Sequence, residues 1–118
     1  MPAEAQGISK IIIVCGRTDL RRGIDGFARI IGSKYELNPF EKNVLFLFCG
    51  RRTDRIKGLL WEGDGFLLLY KRLEDGSFSW PQTPEEATEI SSEQFSMLMM
   101  GLNPINPRIK QVDPKRIY

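Results

Sequence analysis

The sequence predicts an α+β domain in which one mostly antiparallel sheet of about five strands packs against one or two helices. The main observation is residues 44–80, where apolar runs of strand length alternate with glycine-containing turns. A second observation is helical spacing of apolar residues before and after this stretch. The predicted order is therefore strand, helix, four-strand meander, helix and an extended C-terminal tail.

The bulk composition is that of one folded domain spanning residues 1–118. No apolar run approaches the ~20 residues that cross a bilayer, and the N-terminus lacks the features of a signal peptide. The sequence has no His, and Cys15 and Cys49 have no CxxC spacing. We therefore expect a cytoplasmic protein with no membrane association, no metal and no cofactor, whose two thiols are free and buried.

The N-terminal part predicts a frayed segment over residues 1–7, a buried strand over residues 10–14 and then a helix. Thr18 or Asp19 is the expected helix cap. Gly23, Gly26 and Gly32 within this helix indicate either close packing on the sheet, the more common reason, or a backbone used for binding. The apolar positions of the helix are Leu20, Ile24, Phe27, Ile30 and Ile31.

The meander is predicted as strands over residues 44–48, 55–62, 66–73 and 77–80. Asp64-Gly65 and Asp75-Gly76 are signals for two-residue hairpin turns. Such turns would set Trp61 opposite Leu68, Lys57 opposite Arg72, and Leu73 opposite Phe78. Side chains then separate by alternation onto two faces.

One face of the meander is a predicted core face, made of Ile56, Leu60, Leu67, Leu69, Leu73, Phe78 and Trp80. The other face interleaves basic and apolar residues, namely Arg55, Lys57, Leu59, Trp61, Phe66, Leu68, Tyr70 and Arg72. Cations for phosphates and rings for base stacking are typical of nucleic-acid-binding surfaces. The alternative is a second core layer beneath a helix, with the basic residues at its rim.

The C-terminal part predicts a polar acidic connector over residues 82–90 and a second helix that begins at Ser91 or Ser92. Ser91 and Gln94 have the spacing of a capping box. Its apolar face comprises Phe95, Leu98, Met99 and Leu102. Residues 103–118 are predicted as an extended basic tail.

Charge is segregated along the chain. Residues 1–72 contain 13 Lys and Arg and 8 Asp and Glu, whereas residues 73–107 contain six acids and no Lys or Arg. Residues 108–118 contain four basic residues and one acid. This distribution favours a field that attracts a polyanion to one part of the surface.

Two basic clusters stand out. The first contains Arg51, Arg52, Arg55 and Lys57, and the second contains Arg17, Arg21 and Arg22 at the predicted helix start. Arginine-rich loops and helix N-termini both bind phosphate. The alternative for the first cluster is a solvated loop in which Asp54 is the local partner.

Catalysis is not expected, because no His is present and no Ser, Cys or Lys has an identifiable activating partner. A magnesium-dependent nuclease is the least favoured alternative. It would draw on Asp19, Asp25, Asp54, Glu62 and Asp64.

Long motifs in the same regions carry a resemblance to a known family. They are CGRTDLRRGIDGF at residues 15–27, FCGRRTDRIKGLLWEGDGF at 48–66, YKRLEDGSFSWP at 70–81 and GLN at 101–103. The chain resembles the small accessory protein, usually called TnpB, of bacterial transposons of the insertion sequence 66 family. That protein is unrelated to the RNA-guided nuclease that shares the label.

The resemblance implies a role in DNA transposition beside a separate transposase that carries the catalytic acids. We expect a non-catalytic DNA-binding accessory protein whose partners are transposon ends, the transposase and other accessory proteins of the element. The alternative is a protein–protein adaptor that docks on the transposase. The candidate DNA contacts are Arg51, Arg52, Arg55, Lys57 and Arg72, then Arg21 and Arg22, with Trp61 and Tyr70 stacking on bases if they are exposed. The oligomeric state is left open.

Overall fold

The computed structural model describes residues 7–105 and confirms the α+β class. Five strands and two helices follow in the order β1, α1, β2, β3, β4, β5, α2. The strands are Lys10–Val14 (β1), Val44–Cys49 (β2), Arg55–Trp61 (β3), Phe66–Arg72 (β4) and Ala87–Ile90 (β5). Helix α1 covers Ile24–Arg29 and continues as a π-helical turn over Ile30–Lys34, and α2 covers Ser92–Met99.

The strands form one sheet in the order β4-β3-β2-β1-β5. Strands β1 and β2 are parallel, and every other neighbouring pair is antiparallel. The parallel pair requires a crossover connection, and α1 provides it. In this order β1 lies inside the sheet, between β2 and β5, and the two edges are β5 and β4.

The fourth predicted meander strand, at residues 77–80, is wrong. The Phe78 N–H donates to the Thr53 carbonyl at 2.7 Å, and the Trp80 indole N–H donates to the Val14 carbonyl at 3.1 Å. Both side chains are buried, so this segment crosses the end of the sheet and fills the core instead of pairing with β4. The fifth strand is β5, which lies in the predicted connector and pairs with β1.

The predicted hairpin register between β3 and β4 is also wrong, by two residues. Trp61 lies opposite Phe66, and Lys57 lies opposite Tyr70. The turn spans four residues, with the Glu62 N–H donating to the Gly65 carbonyl at 2.9 Å and Gly63 at φ +101°. Because a shift of two residues preserves side-chain alternation, the two predicted faces survive the error.

The predicted core face is confirmed, and it packs under α2. Its buried set includes Ile56, Leu60, Phe78 and Trp80 together with Leu98 of α2, while Leu67, Leu69 and Leu73 are partly buried against it. The opposite face packs under α1, where Phe27 stacks on Phe48 with ring centroids 4.5 Å apart. The two helices therefore cover opposite faces of the sheet, and each face has its own core.

Helix α1 begins later than predicted, because neither Thr18 nor Asp19 is its cap. The Asp19 carboxylate accepts a hydrogen bond from the Arg21 N–H, and the Asp19 carbonyl accepts one from the Arg22 N–H. These bonds form a separate turn, and the helix cap is Gly23. The predicted apolar positions of the helical region all join the core beneath α1.

Close packing does not explain the glycines at either end of this helical region. A Cβ at Gly23 would meet nothing within 4 Å, and one at Gly32 would meet only the Leu37 carbonyl at 3.9 Å. A Cβ at Gly26 would lie 3.0 Å from the Cβ of Arg22, so that glycine accommodates a neighbouring side chain of the preceding loop.

Helix α2 is confirmed with its predicted capping box. The Gln94 N–H donates to Ser91 Oγ at 3.1 Å, and the Gln94 side chain accepts from the Ser91 N–H at 2.7 Å. Phe95, Leu98 and Met99 join the core, but Leu102 lies beyond the helix and is exposed, contrary to prediction. Most of the predicted frayed segment (residues 1–7) and of the predicted tail (residues 103–118) lies outside the described residues, namely residues 1–6 and 106–118.

Candidate nucleic-acid interface

An open cleft of about 1020 Å³ lies at the end of the sheet where β3 begins and β4 ends. Three parts of the chain form it: the loop before α1, the loop after β2, and neighbouring positions on β3 and β4. Six of its lining side chains are cationic and one is a carboxylate. The lining residues are Arg17, Thr18, Asp19, Leu20, Arg21, Gly50, Arg51, Arg52, Arg55, Lys57, Leu68 and Tyr70.

The two loops are joined by a backbone hydrogen bond. The N–H of Thr18, a buried residue, donates to the Cys49 carbonyl at 2.9 Å. Gly50 follows directly and lies close to the other loop, since a Cβ there would be 3.1 Å from the Thr18 carbonyl oxygen and 3.2 Å from Leu20 Cγ. This contact brings together two basic clusters whose nearest members, Arg22 and Arg51, are 29 positions apart in the sequence.

Three arginines of the cleft contact carboxylates. Arg21 pairs with Asp19 at 2.9 Å, and Arg55 pairs with Asp54 at 2.9 Å. Arg52 reaches Asp54 at 3.5 Å. The hydrogen bonds from Arg21 hold the pKa of Asp19 well below its ordinary value, and those from Arg55 lower the pKa of Asp54. Both carboxylates are therefore ionised at neutral pH and offset part of the positive charge of their arginines.

The other cations of the cleft are available to a ligand. Within residues 7–105, Arg17, Arg51 and Lys57 have no carboxylate within 4 Å. The Lys57 ammonium lies 5.8 Å from the centroid of the Tyr70 ring, which is 53% exposed. The cleft therefore combines an excess of positive charge with one exposed ring.

The structure brings together six of the nine residues predicted as DNA contacts. Arg72 lies next to the cleft, opposite Arg55 in the sheet, and its guanidinium is 3.2 Å from the Glu74 carboxylate. Arg22 is not part of the lining, and its side chain lies against Gly26. The six residues in the lining are Arg21, Arg51, Arg52, Arg55, Lys57 and Tyr70.

Trp61 is separated from this cleft, because it lies at the opposite end of β3. It is half-buried and makes edge-to-face contacts with Phe40 and Phe66, with centroids 5.1 and 4.8 Å apart. Leu59 is fully buried beneath α1, and Phe66 and Leu68 are partly buried. Most apolar residues of this face therefore form a second core layer beneath α1, as the alternative interpretation of the sequence proposed. Tyr70 is the exposed exception among them.

Several lining residues lie outside the predicted contacts. Arg17 belongs to the second basic cluster but is not a predicted contact, and Thr18 and Leu20 are predicted only as positions of the first helix. Leu68 is predicted on the face that interleaves basic and apolar residues, either as binding surface or as core. Arg17, Thr18 and Leu20 belong to the loop that the bond between Thr18 and Cys49 attaches to the end of β2. The GRTD sequence before the helix was the available signal, because Arg17 directly precedes the residue that makes this bond.

The carboxylates considered for a metal site are dispersed. Over the part of the chain that the structure describes, no three Asp, Glu or Cys side chains converge in a group that could hold a metal ion. No helix between residues 7 and 105 has both the length and the apolar character needed to cross a bilayer.

Comparison with known proteins decides the family. The family model described as "IS66 Orf2 like protein" matches residues 9–109. The chain belongs to the IS66 Orf2-like family. This membership makes it an accessory protein of transposition, in agreement with the resemblance carried by the sequence motifs.

Two proteins of Sinorhizobium fredii are similar to this chain. The uncharacterized protein y4jC is 34% identical over 107 residues, which cover 91% of this chain and 89% of the relative. The uncharacterized protein y4hO is 35% identical over 99 residues, which cover 84% and 85% respectively. No solved structure matches the chain.

Proposed function

We propose that this IS66 Orf2-like protein is a non-catalytic accessory subunit that binds the DNA of transposon ends through the cleft. The observation that carries the proposal is the convergence of Arg17, Arg21, Arg51, Arg52, Arg55 and Lys57 around one open space. Guanidinium groups bind phosphate through paired donors, and clustered cations gain affinity by releasing counterions from the DNA.

The arrangement favours a nucleic acid over a small anion. The cleft is open, and its cations belong to three separate parts of the chain, so they follow an extended row of charges better than a single phosphate. Tyr70 adds a flat ring on which an unpaired base can stack. The proposed mechanism is that phosphate contacts hold the backbone while Tyr70 engages a base at an opened or distorted end.

The test is a fluorescence-anisotropy titration of labelled transposon-end DNA with the Arg51→Ala/Arg52→Ala double variant. Both side chains are exposed, and the Arg55–Asp54 pair remains intact in this variant. We expect weaker binding and a salt dependence reduced by about 1.8 in the slope of log K against log salt, at about 0.9 per lost phosphate contact.

The matched control is Arg29→Ala/Lys42→Ala, which removes the same charge from exposed positions outside the cleft. The control is expected to keep the wild-type slope, apart from a small loss of general attraction. Equal loss in both double variants would contradict a localised site and would indicate only a general charge effect. Circular dichroism melts of all three proteins establish that each is folded.

A second candidate function is an adaptor that docks on the transposase. It is favoured by the aromatic cluster of Phe40, Trp61 and Phe66 at the end of β3 away from the cleft, in which Phe40 is 54% exposed. Exposed apolar clusters are typical of protein interaction sites. Co-purification with the transposase after nuclease treatment, lost in Phe40→Ala but kept in Arg51→Ala/Arg52→Ala, would support this role.

A further inference from the structure

Among residues 7–105, no strand pairs with the outer side of β4, and the composition of β4 is unusual for an edge strand. It has seven residues, and its first five are Phe66, Leu67, Leu68, Leu69 and Tyr70. None of these side chains is fully buried. The other edge, β5, is only four residues long and carries Glu89. Edge strands are normally kept short or charged to prevent pairing with another chain, and β4 is neither along most of its length.

The outward-facing backbone groups of β4 follow from the hydrogen bonds at its two ends. The Glu62 N–H donates to the Gly65 carbonyl, and the Leu73 N–H donates to the Asp54 carbonyl. In an antiparallel pair, hydrogen-bonded and non-hydrogen-bonded positions alternate. With the register of β3 and β4, residues 67, 69 and 71 therefore bond to β3. The N–H and C=O groups of residues 66, 68, 70 and 72 point away from β3, toward the outer side of the edge.

We propose that β4 pairs antiparallel with β4 of a second copy of this chain, about a two-fold axis at Leu69. Leu69 is the middle residue of β4, so this axis overlaps the two strands along their whole length. All four outward-facing residues then form hydrogen-bonded pairs, Phe66 with Arg72 and Leu68 with Tyr70, each occurring twice. An axis at Leu68 or Tyr70 leaves residues at the strand ends unpaired.

The distribution of charge along β4 favours the same antiparallel arrangement. Lys71 and Arg72 are adjacent at one end of β4, so a parallel self-pairing would bring them beside their own copies. In the antiparallel pair about Leu69, Arg72 faces Phe66, Lys71 faces Leu67, and Leu69 faces its own copy. The strand is therefore complementary to itself, as an interface with two-fold symmetry requires.

The dimer also extends the cleft. A two-fold axis perpendicular to the sheet places the sheet face that contributes Leu68 and Tyr70 to the cleft on the same side in both copies. Leu68 and Tyr70 line the cleft of one copy, and they would pair with Tyr70 and Leu68 of the other. Two basic clefts would then adjoin in one surface. This consequence rests on the proposed DNA binding, whereas the dimer itself does not.

The first test is sedimentation velocity of the full chain without DNA, over rising protein concentration. We expect a species of twice the chain mass of 13.5 kDa. A protein that stays monomeric at the highest concentration overturns the proposal and leaves DNA binding by a single cleft intact.

The register is tested by oxidative cross-linking of Leu69→Cys, with Leu67→Cys as the matched control on the same strand and face. At the two-fold axis, residue 69 lies in a non-hydrogen-bonded pair, with Cα atoms about 4.5 Å apart, which suits a disulfide. Residue 67 and its copy would be about 14 Å apart, because they lie on neighbouring strands and are displaced by four residues along them. Rapid cross-linking of Leu69→Cys alone supports the pairing, and equal or faster cross-linking of Leu67→Cys overturns it.

Two variants with opposite charges at residue 69 test the same axis if a cysteine variant folds poorly. Leu69→Lys and Leu69→Glu should each weaken the dimer, because like charges would face each other at the axis. Mixing the two should restore a heterodimer, which also shows that both variants are folded. Failure of the mixture to associate, with native circular dichroism for both proteins, overturns the proposed axis.

Discussion

The Thr18 N–H donates to the carbonyl oxygen of Cys49 at 2.9 Å, and this bond joins the loop before α1 to the end of β2. Residues on both sides of the bond line the cleft, including Arg17, Arg21 and Arg51. The bond therefore helps to bring together two groups of cations that are far apart in the sequence.

A first prediction concerns Gly50, whose lack of a side chain permits this contact. Gly50→Val should lower stability by about 1–3 kcal/mol, as overpacking does, and should weaken DNA binding by displacing the loops. The physical reason is the space at residue 50, where a Cβ would lie 3.1 Å from the Thr18 carbonyl and valine adds two further carbons. Hydrogen exchange of the Thr18 amide measures the change directly, since the amide should be protected in the wild type and should exchange faster in the variant.

The control for this prediction is Gly65→Val, because a Cβ at Gly65 would meet nothing within 4 Å. Its Thr18 amide should be protected as in the wild type. Unchanged protection in Gly50→Val would contradict the role given to this glycine.

A second prediction separates the two candidate stacking residues. Tyr70→Ala should weaken binding of single-stranded DNA by about 1–3 kcal/mol, the usual value of one stacked base. Trp61→Leu should leave that affinity unchanged, because Trp61 contacts Phe40 and Phe66 at the other end of β3. Anisotropy titrations of the two variants are compared at one salt concentration. A larger loss for Trp61→Leu than for Tyr70→Ala would contradict the assignment of the cleft.

A third prediction concerns pH and the buried thiols, which the structure confirms as free. Burial raises the pKa of Cys49 from its ordinary value of 9.0 to about 11 and also raises the pKa of Cys15. The folded state therefore holds the Cys49 proton more tightly than the unfolded state. The resulting stabilisation is fully present below pH 9 and is lost as the pH rises to about 11.

The measurement is the free energy of unfolding from denaturant titrations at several pH values in that range. Wild type should lose up to about 2–3 kcal/mol more than Cys49→Ala, at about 1.4 kcal/mol for each unit of pKa difference. Below pH 9 the difference between the two proteins should be constant. Parallel curves across the whole range would contradict the raised pKa.

A fourth prediction concerns the capping box of α2. Ser91→Ala removes the hydroxyl that accepts from the Gln94 N–H and should cost about 0.5–2 kcal/mol of folding free energy. Ser92→Ala, one residue further along, is the control and should have little effect. Thermal melts measure both changes. A larger loss for Ser92→Ala would contradict the assigned cap.

Sequence predicted those parts of the fold that depend on neighbouring residues. Alternation along β3 and β4 identified both faces, and the Ser91–Gln94 spacing identified the start of α2. It failed for β5, because residues 87–90 form a strand only by pairing with β1, far away in the sequence. The prediction also failed for residues 77–80, where the alternation is present but Phe78 and Trp80 donate hydrogen bonds to Thr53 and Val14 and the segment does not pair with β4.

The sequence predicted the separate parts of the candidate site but not how they come together. Composition identified both basic clusters, but the parallel pairing of β1 with β2 and the contact of Thr18 with Cys49 bring them together, and neither could be predicted from composition. Tyr70 and Trp61 share one face of the sheet, and alternation assigned both to it correctly. Alternation does not distinguish the two ends of a strand, so the packing of Phe40 against Trp61 and the exposure of Tyr70 were not predictable.

The position of β1 inside the sheet has a consequence for how the chain folds during synthesis. Ile11 pairs with Leu45 on one side and with Ile90 on the other, so its neighbours arrive 34 and 79 residues later. Pairings so distant in sequence carry a large loop-closure cost and slow folding. The nascent chain must leave β1, one of its most apolar segments, without a partner on one side until β5 has been made.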